Sequence, residues 1–148
     1  MDEEPHVDRV RTNRDGLRPE DSNLPYPAHS VVAVLPSEGA AGTAVRRLEG
    51  DGVKKADTDL FVGEEGAAWL HNYHSRSGFL GHVRQIAESI GEDSEQSKEY
   101  EETLRQGRTV LVVRAPNEGA VPAIQQTLAH EGASRMRYFG RFTIRDLI

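Results

Sequence analysis

Apolar residues fall along this chain in two similar blocks. His29-Ser-Val-Val-Ala-Val-Leu35 is a short β-branched run ended by Pro36, the pattern of a strand buried on both faces or nearly so. Ser37 is placed to cap the helix that follows, at roughly 38 to 50, in which Ala41, Ala44, Val45 and Leu48 recur at helical spacing. Gly50 and Gly52 close that helix. Asp57-Thr-Asp-Leu-Phe-Val62 then alternates polar and apolar before Gly63, which predicts a second strand. The block returns near the C-terminus. Arg108-Thr-Val-Leu-Val-Val113 is strand-like, Asn117 is placed to cap a helix carrying Val121, Ile124, Leu128 and Ala129, and Gly132 stops it. Ser134 to Phe139 supplies a last strand with Met136 and Tyr138 on one side, followed by a tailpiece from Gly140 to Ile148.

Two strand-helix-strand blocks in this order predict an α+β domain of the ferredoxin-like kind, a βαβ-βαβ sandwich with a four-stranded antiparallel sheet and both helices on one face. Between strands 2 and 3 lies an insertion at about 64–106, too long to be structureless in a small domain. Its pattern is helical over Glu64 to Tyr73, about Gly78 to Ile90, and Ser94 to Arg105, the last with Tyr100 and Leu104 on its apolar side. Residues 1–27 contain Pro5, Pro19, Pro25 and Pro27, seven acids and four arginines with almost no apolar period, so they read as a disordered or loosely docked tail ahead of a single domain at 28–148.

Charge adds one asymmetry. The net charge is −6, which argues against general nucleic-acid binding, since that rests on Lys and Arg neutralising phosphates. Seven acids fall within 88–102 against Lys98 alone, whereas 103–148 holds seven arginines against three acids. Acidic Glu95, Glu99 and Glu102 can therefore face basic Arg137, Arg141 and Arg145, within a chain or between two chains, and the second arrangement predicts self-association. The longest apolar run, Val31 to Leu35, is far too short to cross a bilayer. Without cysteine there is no disulfide, thiolate zinc site or cysteine nucleophile. With no secretory signal pattern at Met1-Asp-Glu-Glu4, the expectation is a cytoplasmic protein.

Candidate chemistry centres on the insertion. His71, His74 and His82 lie within twelve residues, beside Trp69, Tyr73 and Phe79. Imidazoles with aromatic walls could hold a small molecule, a transition metal or haem. Their spacing matches no specific metal signature, surface or packing histidines are the plainer account, and no cofactor is required by the sequence. Val62-Gly-Glu-Glu-Gly66 stands between strand and helix, where glycines often cradle phosphate, but its glutamates suit the helix dipole and repel an anion. Tyr138-Phe-Gly-Arg-Phe142 joins aromatics to arginine, as base-stacking surfaces do, though packing of the C-terminal segment explains it as well. The serines lack a Gly-x-Ser-x-Gly elbow, and no catalytic motif is present.

Val31-Val-Ala-Val, Leu48-Glu-Gly-Asp-Gly52, Val62-Gly-Glu-Glu-Gly66, Tyr100-Glu-Glu-Thr-Leu-Arg-Gln-Gly107 and Tyr138-Phe-Gly-Arg141 together resemble uncharacterised bacterial proteins related to the YflT-like general stress protein family. The resemblance covers about residues 29–147. It implies a stress-associated cytoplasmic protein and supplies no catalytic residues. The expectation is a non-enzymatic, stress-associated regulatory or protein-interaction module, most simply a homodimer, with an unidentified protein partner. The alternative is a small-molecule, metal or haem-binding sensor with its site at the insertion.

Overall fold

The computed structural model describes residues 11–13, 29–54, 57–74, 95–140 and 144–148, and for 11, 69–74 and 95–98 it describes the backbone alone. Strand β1 is Arg11–Thr12, β2 Ser30–Leu35, β3 Thr58–Val62, β4 Thr109–Arg114, β5 Arg135–Phe139 and β6 Ile144–Asp146. The helices are α1 Glu38–Gly50, α2 Gly63–His74, α3 Glu95–Arg105 and α4 Val121–His130. The result is an α+β fold around one sheet of order β1-β3-β4-β2-β5-β6.

The β-branched run of β2 takes a central place in this sheet. It pairs antiparallel with β4 from Ser30 opposite Arg114 to Leu35 opposite Thr109, and with β5 from Ser30 opposite Phe139 to Val34 opposite Arg135. All six of its residues are buried, as an apolar run with no polar alternation requires. α1 forms where Ser37 Oγ accepts from Ala40 N at 3.1 Å, and it ends where Gly52 takes a positive φ of 101° that a β-carbon would strain. Gly132, with φ 94°, ends α4 in the same way. Asn117 makes no side-chain cap. It precedes a 3₁₀ turn, Glu118–Ala120, and α4 begins at Val121, ahead of Pro122.

The pattern predicts four antiparallel strands, and the structure corrects this to six among the described residues. β6, drawn from the tailpiece, adds antiparallel to β5. β1 adds to β3 in parallel, with Arg11 opposite Asp59 and Thr12 opposite Leu60, so the sheet is antiparallel from the β3 edge across to β6 and parallel only at β1. A strand of two or three residues is too short to show a period, which is why neither is visible in the hydrophobic pattern.

Strand alternation sends the core in two directions. Val31, Ala33, Leu35, Leu111, Val113, Met136 and Tyr138 pack with α1 and α4 through Ala41, Ala44, Val45, Leu48, Val121, Ile124 and Leu128. Val32, Val34, Phe61, Val110, Val112 and Phe139 form a second core with Ala67 of α2 and Tyr100 and Leu104 of α3. The helices of the insertion thus cover the face of the sheet opposite α1 and α4, giving three layers. At about 1.5–3 kcal/mol for each large side chain removed from water, Phe61, Tyr100, Leu104 and Phe139 contribute to holding α3 on the sheet. The middle helix expected near 78–90 lies outside the described residues.

Candidate functional site

Polar groups on the covered face of the sheet are where chemistry and packing meet. Arg137 stands opposite Val32, Val32 opposite Val112, and Val112 opposite Asp59. Directly paired residues face the same side, so a guanidinium and a carboxylate share one row with two valines between them, and the row runs on to Asp146 beside Arg137 and to Arg11 beside Asp59. Three strand intervals separate the charges by roughly 14 Å. Asp59 is 5% exposed. It shares the face of Val112, the one that packs with α2 and α3.

Arg137 gathers three acceptors. Its Nε donates to Asp146 Oδ1 at 2.9 Å, and its Nη1 to Glu99 Oε1 at 3.3 Å and to Tyr100 Oη at 3.2 Å. Glu99 also pairs with Arg135. A single carboxylate on α3 is therefore held by two alternate arginines of β5 on the covered face, and Arg137 ties β6 into the same cluster. Burial of Arg137 works against its charge, but Tyr100, Asp146 and Glu99 outweigh that and raise it above the ordinary arginine value. Burial raises Tyr100 above the ordinary phenol value, partly offset by Arg137. The same cause, with Glu118 adding and Arg145 opposing, raises Tyr138.

The sequence-derived candidates divide by location. Trp69, His71, Tyr73 and His74 fall in the second half of α2, where His71 and His74 stand one and two turns beyond buried Ala67. Their side chains lie outside the described residues, as do Phe79, His82 and Arg141 altogether. Glu95 opens α3. Glu99 and Arg137 meet within one chain, the first of the two arrangements that the charge pattern leaves open. Glu102 is exposed, and Arg145 turns to Glu118 at 3.9 Å and lies over the Tyr138 ring at 5.0 Å from its centre. Arg135 and Asp59 carry weight that the sequence does not reveal.

Two motifs resolve into packing. Tyr138 is 2% exposed on one face of the sheet and Phe139 fully buried on the other, so neither ring offers a platform for a base. Glu64 and Glu65 occupy the first turn of α2. Gly66 lies where an added β-carbon would come within 3.2 Å of Asn13 Oδ1 and of the Phe61 carbonyl carbon.

No protein-family model, curated protein or solved structure matches this chain. Function must be argued from the site. Among the described residues no three His, Asp or Glu side chains gather as metal ligands, and no helix is long and apolar enough to cross a membrane.

Proposed function

We propose that the chain is a non-enzymatic, stress-associated regulatory module of the cytoplasm with a ferredoxin-like centre, whose helical insertion is a cover docked on the second face of the sheet. The order β3-β4-β2-β5 and the placement of α1 and α4 together on one face support the ferredoxin-like reading; β1 and β6 are additions at its edges. The stress association comes from the resemblance of residues 29–147. The observation that carries the regulatory reading is the Glu99-Arg135-Arg137 cluster, because it turns both arginines of β5 on this face to holding α3. A carboxylate shared by two guanidiniums and a phenol bonded to one of them are arranged as a clasp, not around a reacting atom. A clasp made of charges about a third to a half exposed, such as Glu99 and Arg135, loosens as salt screens it over about 8 Å at physiological ionic strength. Of the acids named on α3, Glu102 remains exposed for an outside partner.

Native mass spectrometry of the full chain, freshly purified in low and in high ammonium acetate, tests this reading. A polypeptide mass with no retained small molecule, and a charge-state envelope that broadens with salt as the cover loosens, is the expected result. A stoichiometric metal or cofactor mass overturns it in favour of a second reading, a ligand sensor beneath the insertion. That second reading is favoured by Asp59, a buried carboxylate on the face that α2 covers, and by the helical positions of His71 and His74 beyond Ala67.

A further inference from the structure

The β3 edge of the sheet is closed by a segment from far outside the domain, and the contact is made by a side chain. β1 contributes only two paired residues, the last of them opposite Leu60. Where its backbone pairing stops, Asn13 takes over: Oδ1 accepts from Val62 N at 2.8 Å, completing the β3 edge just as the chain turns into α2. An N–H needs an acceptor, which fixes the orientation of the amide. The seat is shaped for this approach. Gly66, in the first turns of α2, has no β-carbon, and one placed there would stand 3.2 Å from Asn13 Oδ1 and 3.2–3.3 Å from Phe61. Glycine is the residue that lets another group come this close. The Asn13 amide nitrogen is buried and has no hydrogen-bond partner among the described residues. The plug thus fits by shape and by one bond while leaving a donor unsatisfied, a cost that weakens its hold.

We propose that the β3 edge with its Gly66 seat is a strand-addition groove for an extended segment bearing asparagine, and that Arg11–Asn13 of this same chain is its tethered occupant. Parallel backbone pairing along Asp59 and Leu60 supplies affinity, and the asparagine seated between Val62 N and Gly66 supplies selectivity, the division of labour seen when a peptide adds to a sheet edge. Residues 14–28 connect the occupant to β2. At about 3.3 Å per extended residue, the number of residues in this connector allows a reach far beyond the three strand intervals between β1 and β2, so its length alone does not forbid release. The N-terminal segment acts as a self-ligand that keeps the edge closed to other strands until it leaves.

The test uses the full chain, its Asn13→Ala variant and a fluorescent peptide of residues 8–17. Amide hydrogen exchange followed by NMR should show Val62 exchanging at least tenfold faster in the variant, with Val32 and Val112 unchanged. Fluorescence anisotropy should show the peptide binding the variant and not the wild type, whose groove is filled, while a peptide carrying the same Asn13→Ala change binds at least tenfold more weakly. Unchanged Val62 exchange, a peptide that ignores the variant, or equal binding of the two peptides overturns the proposal. A simultaneous loss of protection at Val32 and Val112 also overturns it, since the segment would then be a fixed part of the fold.

Discussion

Replacing Arg137 with methionine isolates the worth of the clasp, because methionine keeps an apolar stem against the sheet while removing the guanidinium. Three bonds disappear. Those to Glu99 and Asp146 end on carboxylates that are 37% and 75% exposed, so each is discounted for solvent to about 0.5 kcal/mol. Glu99 also keeps Arg135. The bond to Tyr100 is different in kind, since that side chain is 1% exposed and water cannot replace the lost donor; this costs about 1–2 kcal/mol. Arg137→Met should therefore destabilise the fold by about 2–3 kcal/mol in urea unfolding at neutral pH with an unchanged m-value. The cycle with Tyr100→Phe sharpens this. In the Tyr100→Phe background the arginine change should cost about 1 kcal/mol less, because the bond between the two side chains is already gone. A loss under about 0.5 kcal/mol, or a double variant equal to the sum of the singles within the usual 0.3–0.5 kcal/mol, would show that α3 is held by packing alone.

Stability should be at its full value below about pH 10, where the unfolded Tyr100 begins to ionise, and fall as pH rises toward its higher folded value; Tyr100→Phe should flatten that decline in urea midpoints measured from pH 8 to 11. Deleting residues 1–25 removes β1 and the Asn13 to Val62 bond, so cooperative thermal unfolding should persist with a stability loss near 1 kcal/mol; loss of cooperativity would make the N-terminal segment essential. If the insertion holds a metal, zinc binding by calorimetry should weaken below about pH 6.5 and vanish in a His71→Ala, His74→Ala, His82→Ala variant, whereas identical traces from the two proteins leave these histidines in packing or surface roles.

How much of this was legible varies with the range of the interactions involved. β2, α1, β4 and α4 follow from local period and from Ser37, Gly52 and Gly132, all signals within a few residues of the element they shape. The helical nature of 63–74 and 95–105 was legible for the same reason. Their place was not, because no residue in α2 or α3 says which face of the sheet it covers. That one unknown also hides the setting of Asp59, which is 5% exposed on the face that packs with α2 and α3. Glu99 shows the limit in another way. Opposite charge at positions 99 and 137 predicts attraction, yet only the register of β5 and the crossing of α3 decide that the two belong to one molecule. Asn117 fits a cap by residue type, but a 3₁₀ turn and Pro122 move the start of α4 beyond its reach.

The central pairing of the sheet also sets an order of events at synthesis. Val32 and Val112 are neighbours across β2 and β4. Strand β2 leaves the ribosome early and has no partner of its own until β4 follows, after the whole insertion has been made. Closing so long a loop costs entropy that is not repaid before that moment, so the most apolar strand of the protein waits exposed. Nascent chains ending before residue 109 should be the ones that ribosome-associated holdases retain, and release should coincide with emergence of the β4-α4-β5 block.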